Sequence, residues 1–106
     1  MGLFDFIKGT NINDEIKAYQ ATQDAILLDV RTSQEYREGH IPGSVNIPLQ
    51  SIANGRTPSD NKNAQIYVYC HSGSRSRQAV SILKSIGYSN VKNIGGIAAY
   101  RGKVER

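Results

Sequence analysis

The sequence predicts an α/β sandwich with a largely parallel sheet. Apolar runs of strand length alternate along the chain with segments of helical spacing. The runs are almost continuously apolar, which is typical of parallel strands covered by helices on both faces. In such folds the loops at the carboxyl ends of the strands hold the functional residues. The residues that follow each apolar run are therefore the candidates for a site.

The first half of the chain contains four predicted elements: a helix over 13–20, a buried strand over 25–30, a helix over 33–38 and a short strand over 44–47. Asn13 is the expected N-cap of the first helix, and acidic residues follow it in the first turn. Thr32 and Glu35 have the spacing of a capping box, and Gly39 is expected to end the second helix.

The second half begins with a weakly periodic segment, 51–62, which predicts a helix fragment followed by a loop. Apolar residues recur at helical spacing after about Ser74, and Gly87 is expected to end that helix. The remaining predicted elements are a buried strand over 64–69, a strand over 91–94 and a helical segment over 97–100.

Length and composition predict a single domain. We expect it to span residues 1–106, with a core over about 12–102 and an apolar N-terminal extension over 1–11. The apolar residues of the extension either form a docking edge for a partner, or pack on the domain itself or fray. They are Leu3, Phe4, Phe6 and Ile7.

The formal net charge of +4 comes from 13 basic and 9 acidic residues that are scattered along the chain. Nucleic-acid binders cluster Lys and Arg with aromatic residues, so this distribution argues against a nucleic-acid partner. A small anionic substrate or an acidic protein fits the charge better. No apolar run approaches the length of a membrane span, so no membrane association is expected.

Only one cysteine is present, so no internal disulfide forms and no oxidising compartment is required. The first residues lack a signal-peptide pattern. We therefore expect a cytoplasmic protein with a reduced thiol. With two histidines and no second cysteine, no metal site is predicted.

Cys70 is the predicted nucleophile because of its neighbours. An apolar run over 66–69 precedes it, and a segment over 71–77 that is rich in serine and arginine follows it. Small residues let several backbone N–H groups turn toward one anion, and the helix that begins near Ser74 adds positive charge. A thiol in that setting ionises readily and reacts as the thiolate. The alternative is an inert cysteine buried at a strand end.

Four ordered motifs carry a resemblance to a known family. They are Asp29-Val30-Arg31 with Glu35-Tyr36, the segment from Gly39 to Pro48, the cysteine loop, and Gly95-Gly96-Ile97. Over about residues 25 to 102 they resemble a single-domain rhodanese, a sulfurtransferase domain. The resemblance implies a three-layer sandwich with a central, mainly parallel sheet flanked by helices. The chain departs from the family in having Tyr100 where a tryptophan is common, and in lacking a clear first strand.

The resemblance implies sulfane sulfur transfer by a ping-pong route. Cys70 would take sulfur from a small anionic donor, thiosulfate or a related persulfide, and hold it as a persulfide. The acceptor would be cyanide, a small thiol or a protein cysteine. Neither half-reaction requires a metal or an organic cofactor. The loop residues expected to bind the substrate are His71, Ser72, Gly73, Ser74 and Arg75.

Four other polar residues are interpreted as structural support. Asp29, Arg31 and Glu35 are expected to form an ion-pair network that holds a strand end, and His40 a hydrogen bond that stabilises a turn. For Arg75 two roles stay open: it binds the sulfonate of the donor, or it braces the loop.

Two alternatives to a sulfurtransferase remain. Related phosphatases and arsenate reductases place five residues between the cysteine and the arginine of the loop, whereas four residues separate Cys70 from Arg75. The shorter loop suits a single sulfur atom better than a tetrahedral oxyanion. The second alternative is a non-catalytic or partner-dependent module that relays or senses persulfide.

Overall fold

The computed structural model describes residues 11–106, which form helices on both faces of a four-stranded parallel sheet. The strands are β1 Ile26–Asp29, β2 Val45–Asn46, β3 Ile66–Cys70 and β4 Val91–Gly96, in the order β2-β1-β3-β4. The helices are α1 Ile12–Gln20, α2 Ser33–Glu38, α3 Leu49–Ala53 and α4 Ser74–Ser85, followed by a 3₁₀ turn, Ile97–Ala99. The predicted fold class is confirmed. The apolar residues 3, 4, 6 and 7 lie outside the described residues.

The central strand β3 separates two apolar cores. All five of its residues are buried, and their side chains alternate between the two faces of the sheet. Tyr67 and Tyr69 pack with residues of α1, while Val68 and Cys70 pack with Ala79 and Leu83 of α4. The alternation therefore directs the thiol of Cys70 toward the helix that follows it.

The predicted start of α1 is wrong by two residues. Asn11, not Asn13, is the N-cap, and its side chain accepts the N–H of Asn13 at 2.9 Å. Both asparagines suit a cap, and the tertiary structure gives the second one another role. The Asn13 side chain donates to the Ala99 carbonyl at 3.0 Å and accepts the Arg101 N–H at 2.8 Å.

The capping box of α2 is confirmed, with Thr32 and Glu35 bonded in both directions, and the helix ends at Gly39. The strand β4 extends two residues beyond its predicted end. Its register shifts opposite Val68 and Tyr69, and Gly95 takes a φ of +101°. A β-bulge with a glycine at positive φ continues the pairing where the sequence pattern indicated a stop.

Asp29 and Arg31 form a buried ion pair where β1 ends. The carboxylate of Asp29 accepts the guanidinium at 2.7 to 3.1 Å, and Arg31 also donates to the Gly39 carbonyl at 2.7 Å. Asp29 is fully buried and Arg31 is 5% exposed. Glu35 pairs with Arg75 instead. The expectation of one network that joins all three residues is therefore wrong, because α2 turns the Glu35 side chain toward the cysteine loop.

We expect Asp29→Asn to lower the free energy of unfolding by about 3 kcal/mol, because it leaves the guanidinium of Arg31 buried without its counter-charge. Urea unfolding at neutral pH measures the change. Asp14→Asn makes the same substitution at an exposed position of α1 and is expected to cost less than about 1 kcal/mol. Equal small losses in the two variants would contradict this account of the Asp29 pair.

Candidate active site

Cys70 is the last residue of β3, and its thiol lies at the base of the loop that leads into α4. The residue is 1% exposed. The N–H of Gly73 donates to its Sγ at 3.0 Å, and the Ser76 Oγ lies 3.4 Å from the same sulfur. Gly73 has a φ of +105°, a conformation that turns the chain sharply into the helix. The turn brings the amides of the loop around the sulfur.

The surroundings of the thiol favour its ionised form. Burial raises the pKa of Cys70, but hydrogen bonds from the hydroxyl and amide of Ser76 and from the amides of Gly73 and Ser72 together lower it by more. The net effect is a pKa below the ordinary value of a cysteine. A thiolate is the reactive form of the side chain in attack on sulfur.

Arg75 is bound to a carboxylate rather than free in the loop. Its guanidinium donates two hydrogen bonds to Glu35, at 2.7 and 3.0 Å. The hydrogen bond from Arg75 is the largest cause that lowers the pKa of Glu35 to about 2, with further bonds from Thr32. The pair therefore stays charged at neutral pH and ties α2 to the first turn of α4.

The segment after β4 supports the cysteine loop from behind. A side chain at Gly96 would collide with the carbonyl group of His71 and with the Cα of Ser72. The N–H of Ala98 donates to the His71 carbonyl at 3.0 Å. The His71 carbonyl is therefore held toward the Gly96–Ala98 segment, which leaves the amides of the loop to face the sulfur.

Ser76 and Asn93 contact this site, and neither was identified as a functional residue from the sequence. The Ser76 hydroxyl lies 2.7 Å from the Asn93 Oδ1 and 3.0 Å from the Gly73 carbonyl. The Asn93 amide donates to the same carbonyl at 3.2 Å. In the sequence Ser76 stands out only as a small residue of the loop, and Asn93 as a polar residue within a strand.

The other predicted site residues fall into two groups. The side chains of His71, Ser72 and Ser74 are exposed on the loop. His40 bonds the Tyr36 carbonyl through Nδ1 at 2.8 Å and stacks on the Tyr36 ring. Its backbone also pairs with Glu105. The contacts of His40 are those expected of a residue that stabilises a turn.

Within residues 11–106, no three potential metal-ligating side chains lie together. None of the helices in this range is long and apolar enough to cross a membrane.

A buried thiol of lowered pKa lies in an amide-lined loop at the carboxyl end of a parallel strand, which is the arrangement expected of a cysteine nucleophile in an α/β protein. Comparison with known families agrees with that class. Residues 13–103 match the rhodanese-like domain, and the chain belongs to this family. The resemblance inferred from the sequence motifs is thereby confirmed.

Two curated relatives and one solved structure illustrate the likeness. The chain is 39% identical over 71 residues to the thiosulfate sulfurtransferase PspE of Escherichia coli (strain K12). The matched region covers 66% of this chain and 68% of PspE. The chain is 42% identical over 80 residues to YrkF of Bacillus subtilis (strain 168), which covers 74% of this chain but only 43% of YrkF. The name of YrkF describes a candidate sulfur carrier protein. A rhodanese-like domain protein from Staphylococcus aureus superposes with a TM-score of 0.76 at 32% identity, covering 88% of this chain and 92% of that one.

We expect Gly96→Ala to displace the loop, because the added methyl group would lie well inside van der Waals contact of backbone atoms of His71 and Ser72, so these atoms must shift. The amides then lose their alignment with the sulfur, and the pKa of Cys70 rises. The pH dependence of alkylation by iodoacetamide measures the thiolate fraction. Gly55→Ala is the control, since its added methyl group would have no atom within 4 Å and any backbone strain stays in a distant turn. An unchanged alkylation profile in a folded Gly96→Ala variant would contradict the role assigned to this contact.

Proposed function

We propose that the protein is a sulfurtransferase that carries sulfane sulfur as a persulfide on Cys70. The donor is thiosulfate or a related persulfide, and the acceptor is a thiophile such as cyanide, a small thiol or a protein cysteine. The observation that carries the proposal is the hydrogen bonding of the Cys70 sulfur by the loop, which lowers the pKa of the thiol. Family membership and the name of PspE support the same class of reaction.

In the loading step, the Cys70 thiolate attacks the outer sulfur of thiosulfate. A new S–S bond forms on Sγ, the S–S bond of the donor breaks, and sulfite leaves with that electron pair. The outer sulfur keeps the negative charge that it carried in thiosulfate and sulfite leaves as the dianion, so the charge on the protein now lies on the outer sulfur instead of Sγ. Amides of the loop over 71–75, already turned toward the cysteine, are the proposed donors to that charge.

In the discharge step, the acceptor attacks the outer sulfur. The bond between the Cys70 Sγ and the outer sulfur breaks. Its electron pair returns to Sγ, so the thiolate is regenerated. Cyanide leaves as thiocyanate and a thiolate leaves as a persulfide. The charge is conserved in both steps, and neither step draws on a metal or an organic cofactor.

We assign Arg75 the bracing role. The two hydrogen bonds with Glu35 engage the guanidinium, and Glu35 is itself held by the capping box of α2. A guanidinium held in this way is poorly placed to bind the sulfonate of thiosulfate and then release it. The same engagement argues against the phosphatase alternative, in which a loop arginine must bind the oxyanion.

A second candidate function is a persulfide relay to a specific protein, with little turnover of small molecules. The name of YrkF, a candidate sulfur carrier, favours it, and YrkF is more than twice as long as the part that matches this chain. We propose a single domain and a cytoplasmic location, both expected from the sequence, for the sulfurtransferase and for the relay alike. A reducing compartment would keep Cys70 available for sulfur.

Incubation with thiosulfate in the absence of reductant tests the proposal. We expect the intact mass of the protein to increase by one sulfur atom, and cyanide to remove that atom as thiocyanate. Cys70→Ser is expected to gain nothing. If a folded protein with a free thiol forms no adduct, thiosulfate is excluded as the donor. Loading by a persulfide-bearing protein would then favour the relay.

A double-mutant cycle tests the assignment of Arg75. We expect Arg75→Gln and Glu35→Gln each to lower kcat/KM for thiosulfate by about threefold, and the double variant to be no worse, because all three break the same partly exposed pair. Glu35→Gln retains the capping box. Arg77→Gln removes the same charge from an exposed position and serves as the control. An increase in the thiosulfate KM confined to Arg75→Gln would show instead that Arg75 binds the donor.

A further inference from the structure

We propose that the Ser76 hydroxyl is a catalytic group of the transfer reaction, and that Asn93 is the residue that positions it. The Ser76 hydroxyl would turn its hydrogen bond from the Asn93 Oδ1 to the Cys70 Sγ when negative charge builds on that sulfur. It would turn back when the charge leaves. The inference rests on the proposed function and deepens it. It concerns the release of sulfur from Cys70, a step for which the resemblance assigns no side chain.

The Ser76 hydroxyl is buried and has one proton for several acceptors. Ser76 is 0% exposed, so water does not compete for that proton. Its Oγ lies 2.7 Å from the Asn93 Oδ1, 3.0 Å from the Gly73 carbonyl and 3.4 Å from the Cys70 Sγ. Only one of these acceptors gains and loses a full charge during the reaction, and that is the sulfur.

The neighbours of Asn93 fix the orientation of its side-chain amide. The N–H of Gly95 donates to Oδ1 at 3.0 Å, and Nδ2 donates to the Gly73 carbonyl at 3.2 Å. A flipped amide would place its NH₂ group against the Gly95 N–H and its oxygen against a carbonyl, so it is disfavoured. Asn93 therefore presents its Oδ1 as an acceptor to the Ser76 hydroxyl whenever the Cys70 Sγ carries no negative charge.

The charge on Sγ changes during the catalytic cycle, and the hydroxyl can follow it. In the free thiolate, Ser76 donates to Sγ and stabilises the anion. In the persulfide, the charge lies on the outer sulfur, and the hydroxyl returns to the Asn93 Oδ1. During discharge the S–S bond breaks, the electron pair moves to Sγ, and the hydroxyl rotates back to stabilise the departing thiolate.

The two half-reactions therefore depend differently on Ser76. A hydrogen bond to the thiolate makes Cys70 a better leaving group but a weaker nucleophile. Loss of the hydroxyl should slow discharge without slowing loading by the fully ionised thiol. A merely structural role for Ser76 would slow both steps, since both need an intact loop.

Ser76→Ala tests the proposal, with Ser81→Ala as the matched control at an exposed position of α4. Ser76→Thr keeps the hydroxyl and is the conservative variant. Thiolate absorbance against pH gives the pKa of Cys70. Rapid mixing with thiosulfate, and of the loaded protein with cyanide, then gives each half-reaction separately at a pH where the thiol is fully ionised.

We expect Ser76→Ala to raise the pKa of Cys70 and to slow discharge by about tenfold, with loading unchanged or faster. Ser76→Thr should restore discharge, and Ser81→Ala should behave as wild type. An unaltered pKa together with unaltered discharge, or an equal slowing of both steps, overturns the proposal. If Ser76→Ala does not fold, Asn93→Asp tests the same hydrogen bond. A carboxylate at position 93 accepts the Ser76 hydroxyl more strongly than an amide does and so keeps it from the Cys70 Sγ. That variant should also raise the pKa of Cys70 and slow discharge selectively, and wild-type values would overturn the proposal.

Failure of the proposed function gives a different result. If wild type accepts no sulfur from thiosulfate or from a persulfide, the sulfurtransferase proposal fails. The absorbance titration of the Ser76 variants still decides whether the hydroxyl stabilises the thiolate.

Discussion

The site depends first on hydrogen bonds from the loop after β3 to the Cys70 sulfur. A buried thiol would otherwise have a raised pKa, because burial disfavours the anion. The Ser76 hydroxyl at 3.4 Å and the Gly73 N–H at 3.0 Å, together with the amides of Ser76 and Ser72, reverse that effect. Every other feature of the site acts by keeping these donors in place.

Two separate parts of the chain hold the loop in this conformation, the Gly96–Ala98 segment and Glu35 of α2. The Gly96 backbone packs against the residues that follow the cysteine, and the Ala98 N–H holds the His71 carbonyl. Glu35 fixes the first turn of α4 through Arg75. The positions of these contacts are set before any sulfur arrives, so the proposed movement of charge between Sγ and an outer sulfur would need little reorganisation. The donors to the thiol are neutral dipoles, and the nearby guanidinium is bound to a carboxylate of opposite charge.

Local signals in the sequence were sufficient to predict most elements and to single out Cys70 as the candidate nucleophile. The capping box of Thr32 and Glu35 and the loop that begins at Cys70 are both formed by residues close in sequence, so short-range chemistry reveals them. The partners of that loop could not be found in the same way. Glu35 lies 40 residues from Arg75, and Asn93 lies 17 residues from Ser76. These pairs form only when strand order and the bulge of β4 bring distant segments together.

The structure of the sulfur-loaded protein tests the central claim most directly. Crystals treated with thiosulfate should contain one additional sulfur atom bonded to the Cys70 Sγ, within hydrogen-bonding distance of backbone amides of the loop over 71–75. The Glu35–Arg75 pair should be intact in the same crystals. An outer sulfur directed away from the loop amides, or contacted mainly by the Arg75 guanidinium after release from Glu35, would contradict the account.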